Sequence, residues 1–293
     1  VGTGLQVVLA ASVAAGNAAL AASPTTGAAQ ALRDTQQALG GRLGDSPFGR
    51  PLVLDSMELP EGLKGDVYAI VDHPLQDVAA ALKTPARWCE ALILHINNRR
   101  CQVATDSGRE VLTLSVVRRY DKPVDSAFTL PFLYRTIAMD PDYMAVELSA
   151  ESGPLGTRSY RVVLEAVRLR NGRTFLHFSY AYEHNLVARV ATQAYLATFG
   201  SDKVGFTALG RLPGGETDWI RGTRGLVERN AMRYFLAVEA YLSAMDVPAP
   251  QQQDARLLAW YEATERYPRQ LHEIDLASYL ALKREDRLRN GPP

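Results

Sequence analysis

The chain has 293 residues, 32 basic and 32 acidic side chains, and 47% hydrophobic residues. That length can bury a full core, as one large domain or one domain with extensions. Zero formal net charge argues against a dominant electrostatic partner such as nucleic acid.

Residues 1–32 carry no charged side chain, and Arg33 is the first. The apolar run from Leu5 to Ala15 is too short to span a bilayer, which needs about 20 residues. Ala19-Leu20-Ala21 places small residues at −3 and −1 of a cleavage point. This pattern predicts a secretory signal peptide over 1–21, although no basic residue precedes the apolar run. The alternative is an Ala-rich helix or leader. Export would place the protein in a periplasm, a Gram-negative one favoured, or outside the cell. Charges interrupt every later apolar run, so no span is expected in the mature chain, leaving transient membrane contact open.

Residues 22–50 are rich in Ala, Gly, Ser, Thr and Gln, and read as linker with a weak helix over Ala28 to Leu43. Leu52 to Leu59 is an extended arm or strand. The stretch Gly65 to Cys101, GDVYAIVDHPLQDVAAALKTPARWCEALILHINNRRC, is the most informative in the chain. Val67 to Asp72 is a strand. Pro74 sits where a helix can begin, because its missing N–H is an orphan there. Leu75, Val78, Ala79 and Leu82 then share one helical face. Thr84-Pro85 breaks that helix, and a second short one runs to about Leu92.

Strands follow over His95 to Thr105, Glu110 to Tyr120, Phe132 to Met139, Tyr143 to Ala150, Ser159 to Arg170 and Thr174 to Tyr182. Asn171-Gly172 between the last two is a strong hairpin signal, and Arg168, Arg170 and Arg173 around it read as a solvated tip. Consecutive hairpins imply an antiparallel sheet. Along the last strand, Phe175, His177, Ser179 and Ala181 face one way, and Leu176, Phe178, Tyr180 and Tyr182 the other. A helix is predicted over Leu186 to Phe199 and a short strand over Lys203 to Leu209. A long helix from about Arg224 to Met245 buries Val227, Ala231, Phe235, Val238, Leu242 and Met245. Its other face carries Glu228, Arg229, Arg233 and Glu239. Two more helices, about Asp254 to Tyr267 and Leu271 to Arg287, form an extension over 247–293.

Cys89 and Cys101 are the only cysteines. In a reducing cytosol they are two buried thiols; after export they form a disulfide worth about 3 kcal/mol. Neither a metal site nor a cofactor motif is legible. His272-Glu273 begins like a zincin helix and then fails at Leu276, and no G-x-S-x-G, P-loop or dinucleotide fingerprint appears. No catalytic set is assigned. Glu147 and Glu165 can pair with Arg135 and Arg161, and a solvent-facing pair contributes only about 0–1 kcal/mol.

The order strand, two short helices, a run of antiparallel strands and a long helix resembles the START-like superfamily, with its lipid-transport domains and polyketide cyclases. The resemblance covers about Leu52 to Met245. It implies an α+β helix-grip fold over 51–246, a curved antiparallel sheet wrapped around a long C-terminal helix, with an appended helical hairpin. It also implies an apolar cavity for a lipid, a sterol-like molecule or a polycycle. On that analogy Trp88, Leu92, Tyr134, His177, Phe178, Tyr180, Tyr195 and Phe235 line or gate the cavity. Two other functions stay open: a cyclase or dehydratase using His177 or Tyr180 on a polyketide-like substrate, and an interaction module docking through the C-terminal helices.

Overall fold

The structure is a computed structural model that describes residues 24–185 and 202–290, with 190 and 192 between them. Two helices open it, α1 (Pro24–Ala38) and α2 (Gly40–Gly44). The hairpin β1 (Leu52–Leu59) and β2 (Gly62–Val71) leads into α3 (Leu75–Leu82) and α4 (Pro85–Leu92). Next come β3 (Asn98–Asp106), β4 (Arg109–Val116), β5 (Phe128–Met139), β6 (Tyr143–Ser152), β7 (Thr157–Arg168) and β8 (Thr174–His184). A small hairpin, β9 (Ala208–Arg211) and β10 (Thr217–Trp219), precedes the long α5 (Gly222–Ser243). The chain then forms α6 (Ala249–Glu265), the single turn α7 (Pro268–Leu271) and α8 (Leu276–Asn290).

β1 to β8 make one antiparallel sheet in the order β1-β2-β8-β7-β6-β5-β4-β3. The early strand β2 pairs with the late strand β8, so the sheet folds back across the whole chain. α5 lies against β1, β2 and β8 on one face, and α3 and α4 cover β3, β4, β6 and β7. This is the helix-grip α+β fold.

Local chemistry sets the early turns. Thr84 caps α4, its Oγ1 accepting from the Arg87 N–H at 3.4 Å, with Pro85 in the first turn. The Trp88 indole donates to the Leu82 carbonyl at 2.9 Å and ties α4 to the end of α3. At the β7–β8 turn Gly172 takes a φ of 76°, which a side chain resists.

Strand alternation then builds two cores. The inner face presents Leu63, Val67, Ala69, Val146, Leu148, Val162, Leu164, Leu176 and Phe178 to the helices. The outer face presents Val53, Ala138, Tyr143, Ala145, Val167 and Phe175 to Ala29, Leu32 and Leu43. Residues 24–44 are therefore packed helix rather than trailing linker. At Gly65 an added Cβ would come 2.9 Å from the Ala231 Cβ, so the glycine permits the close crossing of α5 over β2.

Glu228, Arg229 and Arg233 are not on a solvated face: they are 0%, 3% and 4% exposed. The reason is a second layer. α6 packs along α5, and the Trp260 indole donates to the Arg233 carbonyl at 3.1 Å. Glu228 accepts from the backbone N–H groups of Phe206 and Thr207 and from the hydroxyls of Ser56 and Thr207. Charged groups in α5 thus pair across buried seams.

Boundaries also move. β5 begins at Phe128 and β3 at Asn98. The strand expected over Lys203 to Leu209 starts at Ala208 and gains a hairpin partner. The helix predicted over Leu186 to Phe199 lies almost wholly outside the described residues, as does the leader over 1–21.

Candidate functional site

The inner face carries an aromatic wall. Tyr160 of β7 stacks on Tyr182 of β8 with ring centroids 5.2 Å apart, and Phe132 of β5 meets Tyr160 edge-on at 6.3 Å. Tyr180 lies 5.8 Å from Tyr182 and 5.5 Å from Tyr234, which α5 contributes. Such pairs add about 0.5–1.5 kcal/mol each beyond their buried area.

The hydroxyls differ in their partners. Tyr160 donates to the Thr157 hydroxyl at 2.9 Å, and Tyr234 donates to the Asn98 side-chain oxygen at 3.5 Å, a long contact. Among the described residues the Tyr180 and Tyr182 hydroxyls have no hydrogen-bond partner. Burial pushes both phenols well above their ordinary pKa, and raises Tyr234 to about 12. They stay protonated at neutral pH, as neutral donors in an apolar wall.

A cleft of about 440 Å³ opens where the ends of β4 and β5 meet the first half of α5. Asn97, Val116, Phe128, Pro154, Leu226 and Arg233 are among its lining residues. Three of its lining residues are next in sequence to residues of the wall or its partners. Arg233 precedes Tyr234, Asn97 precedes Asn98, and Pro154 follows Gly153, where an added Cβ would lie 2.4 Å from the Tyr160 ring. A larger cleft of about 610 Å³ lies at the β1 edge, among Phe48, Phe206, Trp219 and Tyr267. There Arg42 pairs with Asp55 and Arg224 donates to the Ser56 hydroxyl, and none of the wall tyrosines is among its lining residues. The smaller cleft is therefore the candidate mouth.

Of the residues singled out from sequence, Tyr134, Phe178 and Tyr180 lie on the inner face, and Phe235 faces it from α5, fully buried. Tyr134 points its hydroxyl at the Thr136 hydroxyl, 3.1 Å away. Trp88 and Leu92 are buried in α4. Tyr195 lies outside the described residues. His177 is on the outer face, opposite Phe178 and Tyr180, because odd separations along a strand change face. It does not join the wall. Sequence reasoning passed over Phe132, Tyr160, Tyr182 and Tyr234. Tyr182 alternates in step with Tyr180, which was the available signal.

His177 sits in a polar cluster instead. Its Nε2 is 2.8 Å from Asp66 and its Nδ1 is 3.0 Å from Glu165, and Tyr68 stacks on the ring at 4.5 Å. Tyr143 donates to the other Glu165 oxygen, and Lys64 lies 2.9 Å from Asp66. Burial pulls the imidazole pKa down, but the two carboxylates outweigh it and hold it above 6.5. For Asp66 burial opposes the shift and His177 and Lys64 outweigh it; for Glu165 the His177 hydrogen bond leads; both carboxyls fall below their ordinary range.

The signs follow from linkage. The raised histidine contributes stability below its unfolded pKa of about 6.5 and loses it as pH rises through the folded value. The lowered carboxyls contribute above about pH 4, and lose it as pH falls through their folded values. We expect this group's contribution to the thermal midpoint to fall as pH rises from about 6.5 through the folded value, and His177→Gln to remove that fall. A variant with the wild-type slope would locate the titration elsewhere.

Glu147 is another outer-face carboxylate. It pairs with both Arg135 and Arg161, whose side chains are mostly exposed. Glu147 itself is 4% exposed, so the two guanidiniums cover a shielded carboxylate; burial opposes them, and they still hold its pKa below the usual range.

The strand order, with α5 laid across the inner face, defines an α+β helix-grip arrangement. No family model matches the chain, and no curated protein matches it. Among solved structures it is similar to human StAR-related lipid transfer protein 5, at 12% identity over 60% of this chain and 91% of that one, TM-score 0.31. It is similar to the Zhui aromatase/cyclase from Streptomyces sp. R1128, at 15% identity over 70% and 95%, TM-score 0.33. It is also similar to truncated norcoclaurine synthase from Thalictrum flavum, at 14% identity over 50% and 90%, TM-score 0.31. These likenesses concern the fold alone.

Proposed function

We propose that the protein binds a hydrophobic small molecule, a lipid, sterol-like molecule or polycycle, between the sheet and α5, and carries it outside the cytoplasm. The observation that carries this reading is the aromatic wall of the inner face, with an open cleft at one end of the sheet and two phenol hydroxyls that make no hydrogen bond among the described residues. A ligand acceptor would give these hydroxyls a hydrogen bond, worth about 0.5–1.5 kcal/mol each. Apolar contact would supply the rest, at about 0.8 kcal/mol per buried methylene. The Cys89–Cys101 disulfide supports export, since such bonds persist in oxidising compartments. Among the described residues no helix is long and apolar enough to cross a membrane.

The cyclase reading draws less support. It needs an acid and a base on one face, and His177 is on the face opposite Tyr180.

Native mass spectrometry of the purified chain, followed by solvent extraction, tests the carrier reading. A discrete bound mass released as an apolar molecule is the expected result. A bare protein that also fails to take up Nile red would overturn it.

A further inference from the structure

We infer that the free edge of β1 takes an extended acidic peptide as a ninth strand of the sheet, in the cleft of about 610 Å³ that β1 lines. None of the wall tyrosines lines this cleft, so the site stands apart from hydrophobic-ligand binding.

β1 ends the sheet, with β2 on one side only. Its free backbone groups follow from the register. The Pro51 carbonyl accepts from the Ile70 N–H at 3.0 Å. Antiparallel bonding alternates along a strand, so Val53, Asp55 and Met57 bond to Tyr68, Asp66 and Lys64. Leu52, Leu54 and Ser56 therefore turn their N–H and C=O groups away from β2. The Ser46 hydroxyl takes the Leu52 carbonyl at 2.5 Å. The backbone groups of Leu54 and Ser56 make no hydrogen bond among the described residues, and both residues line the cleft.

Proteins blunt free edges with proline, lysine, bulges or a covering loop. The opposite edge strand, β3, has a bulge between Asn98 and Arg100. β1 pairs without a break over Leu52–Leu59 and holds neither proline nor lysine. Its edge is walled on both sides instead. Arg42 of α2 stands on the outer side, 2.6 Å from Asp55, and Arg224 of α5 on the inner side, donating to the Ser56 hydroxyl at 3.0 Å. A single strand fits such a recess. A second copy would bring the same walls on its own β1, and they would meet before the two edges did.

Side chains of an added strand alternate between these walls. Phe48, Phe206 and Tyr267 line the cleft with ring centroids 5.5 to 5.7 Å apart, a surface for an apolar side chain. The charges lining the cleft are three arginines and two aspartates. Arg42 is paired with Asp55. Arg224 bonds only the Ser56 hydroxyl, and Arg266, exposed at the end of α6, makes no side-chain hydrogen bond or ion pair among the described residues. Both stand on the helical side of β1, and Asp45, the remaining acid, follows α2 on the other. A carboxylate on the peptide's inner side would complement these two guanidinium forks.

The test uses the full chain and an array of acetylated, amidated peptides of about eight residues, about 27 Å when extended. Alternate positions carry Val, Phe or Thr, and the others Glu, Gln or Lys. Binders should be strand formers, with glutamate at least about fivefold tighter than lysine at one position. N-methylation along the best binder should cost at least about fivefold at every second residue and little between, the signature of backbone pairing on one edge. Arg266→Glu should remove the glutamate preference. Leu54→Pro deletes one outward N–H at a place where an edge strand tolerates proline, and should abolish binding with wild-type circular dichroism. An array without binders overturns the inference. So does an N-methyl profile without the alternation, which would mean that side chains alone are held. Lysine peptides that bind as well as glutamate peptides overturn the acidic partner. A dimer of the free chain that Leu54→Pro dissolves overturns it too, by making a second copy the occupant.

Discussion

Asp286→Ala should cost about 3–5 kcal/mol of folding stability, the range for removing one partner of a buried ion pair. Asp286 is 2% exposed on α8 and holds the Arg99 Nε at 2.7 and 2.9 Å. Lys283, one turn earlier, reaches 4.0 Å from the same carboxylate. Its ammonium donates to the His95 and Asn98 carbonyls at 2.7 Å each. Burial pulls the lysine pKa down to about 7. Without Asp286 two buried cations lose their counter-charge. Chemical denaturation should show the midpoint falling with an unchanged slope. A loss below about 1 kcal/mol would mean that α8 is a loosely attached extension.

Lys283 adds a pH arm to the same experiment. A base whose folded pKa is lowered is protonated more readily in the unfolded chain. Between about pH 7 and 10 the unfolded state binds the extra proton, so this group's contribution to stability rises with pH. Lys283→Met should remove that rise. The α8 network reaches the functional region, because His95 and Asn98 belong to the loop whose Asn97 lines the cleft. The Tyr279 hydroxyl also donates to the Leu94 carbonyl at 2.7 Å. The C-terminal helix thus braces the rim from behind.

Reducing the Cys89–Cys101 bond should cost about 3 kcal/mol, the chain-entropy value for a loop of this size. The bond joins α4 to β3, with Cα atoms 5.4 Å apart and 12 residues between them in sequence. Cys89→Ala should lower stability by that amount in oxidising buffer. Dithiothreitol should bring the wild type to the same level and leave the variant unmoved. A wild type insensitive to reductant would show that α4 and β3 are held by packing alone. The closed loop contains Leu94, His95, Asn97 and Asn98, which anchor α8 and face the cleft. Reduction should therefore weaken ligand uptake as well as stability, through loss of order at the rim.

Much of the fold was legible in local chemistry. Thr84-Pro85 stops one helix and caps the next. Asn171-Gly172 makes its hairpin, and the alternation in Thr174 to Tyr182 separates two faces. The site was less legible. Alternation puts His177 and Tyr180 on opposite faces, and it does not say which face meets α5. Residue type alone groups His177 with Tyr180 as cavity residues, and composition carries no parity. Tyr160 and Tyr234 come together from β7 and α5, and no local pattern links two residues so far apart in the chain.

Sequence by itself determined most element types, their order and the antiparallel plan, because each follows from hydrophobic period, turn chemistry and capping within a few residues; the helix-grip reading came from the resemblance that this order carries. The tertiary structure alone decided that Glu228, Arg229 and Arg233 are buried. A helix with charges on one side reads as half solvated, and only the covering layer of α6, α7 and the loop at Phe206 reverses that reading. It likewise decided that the cations of α5 meet Arg118 and Lys203 at one cleft. Charge balance over the whole chain is zero, and which charges meet is set by the distant segments the fold brings together.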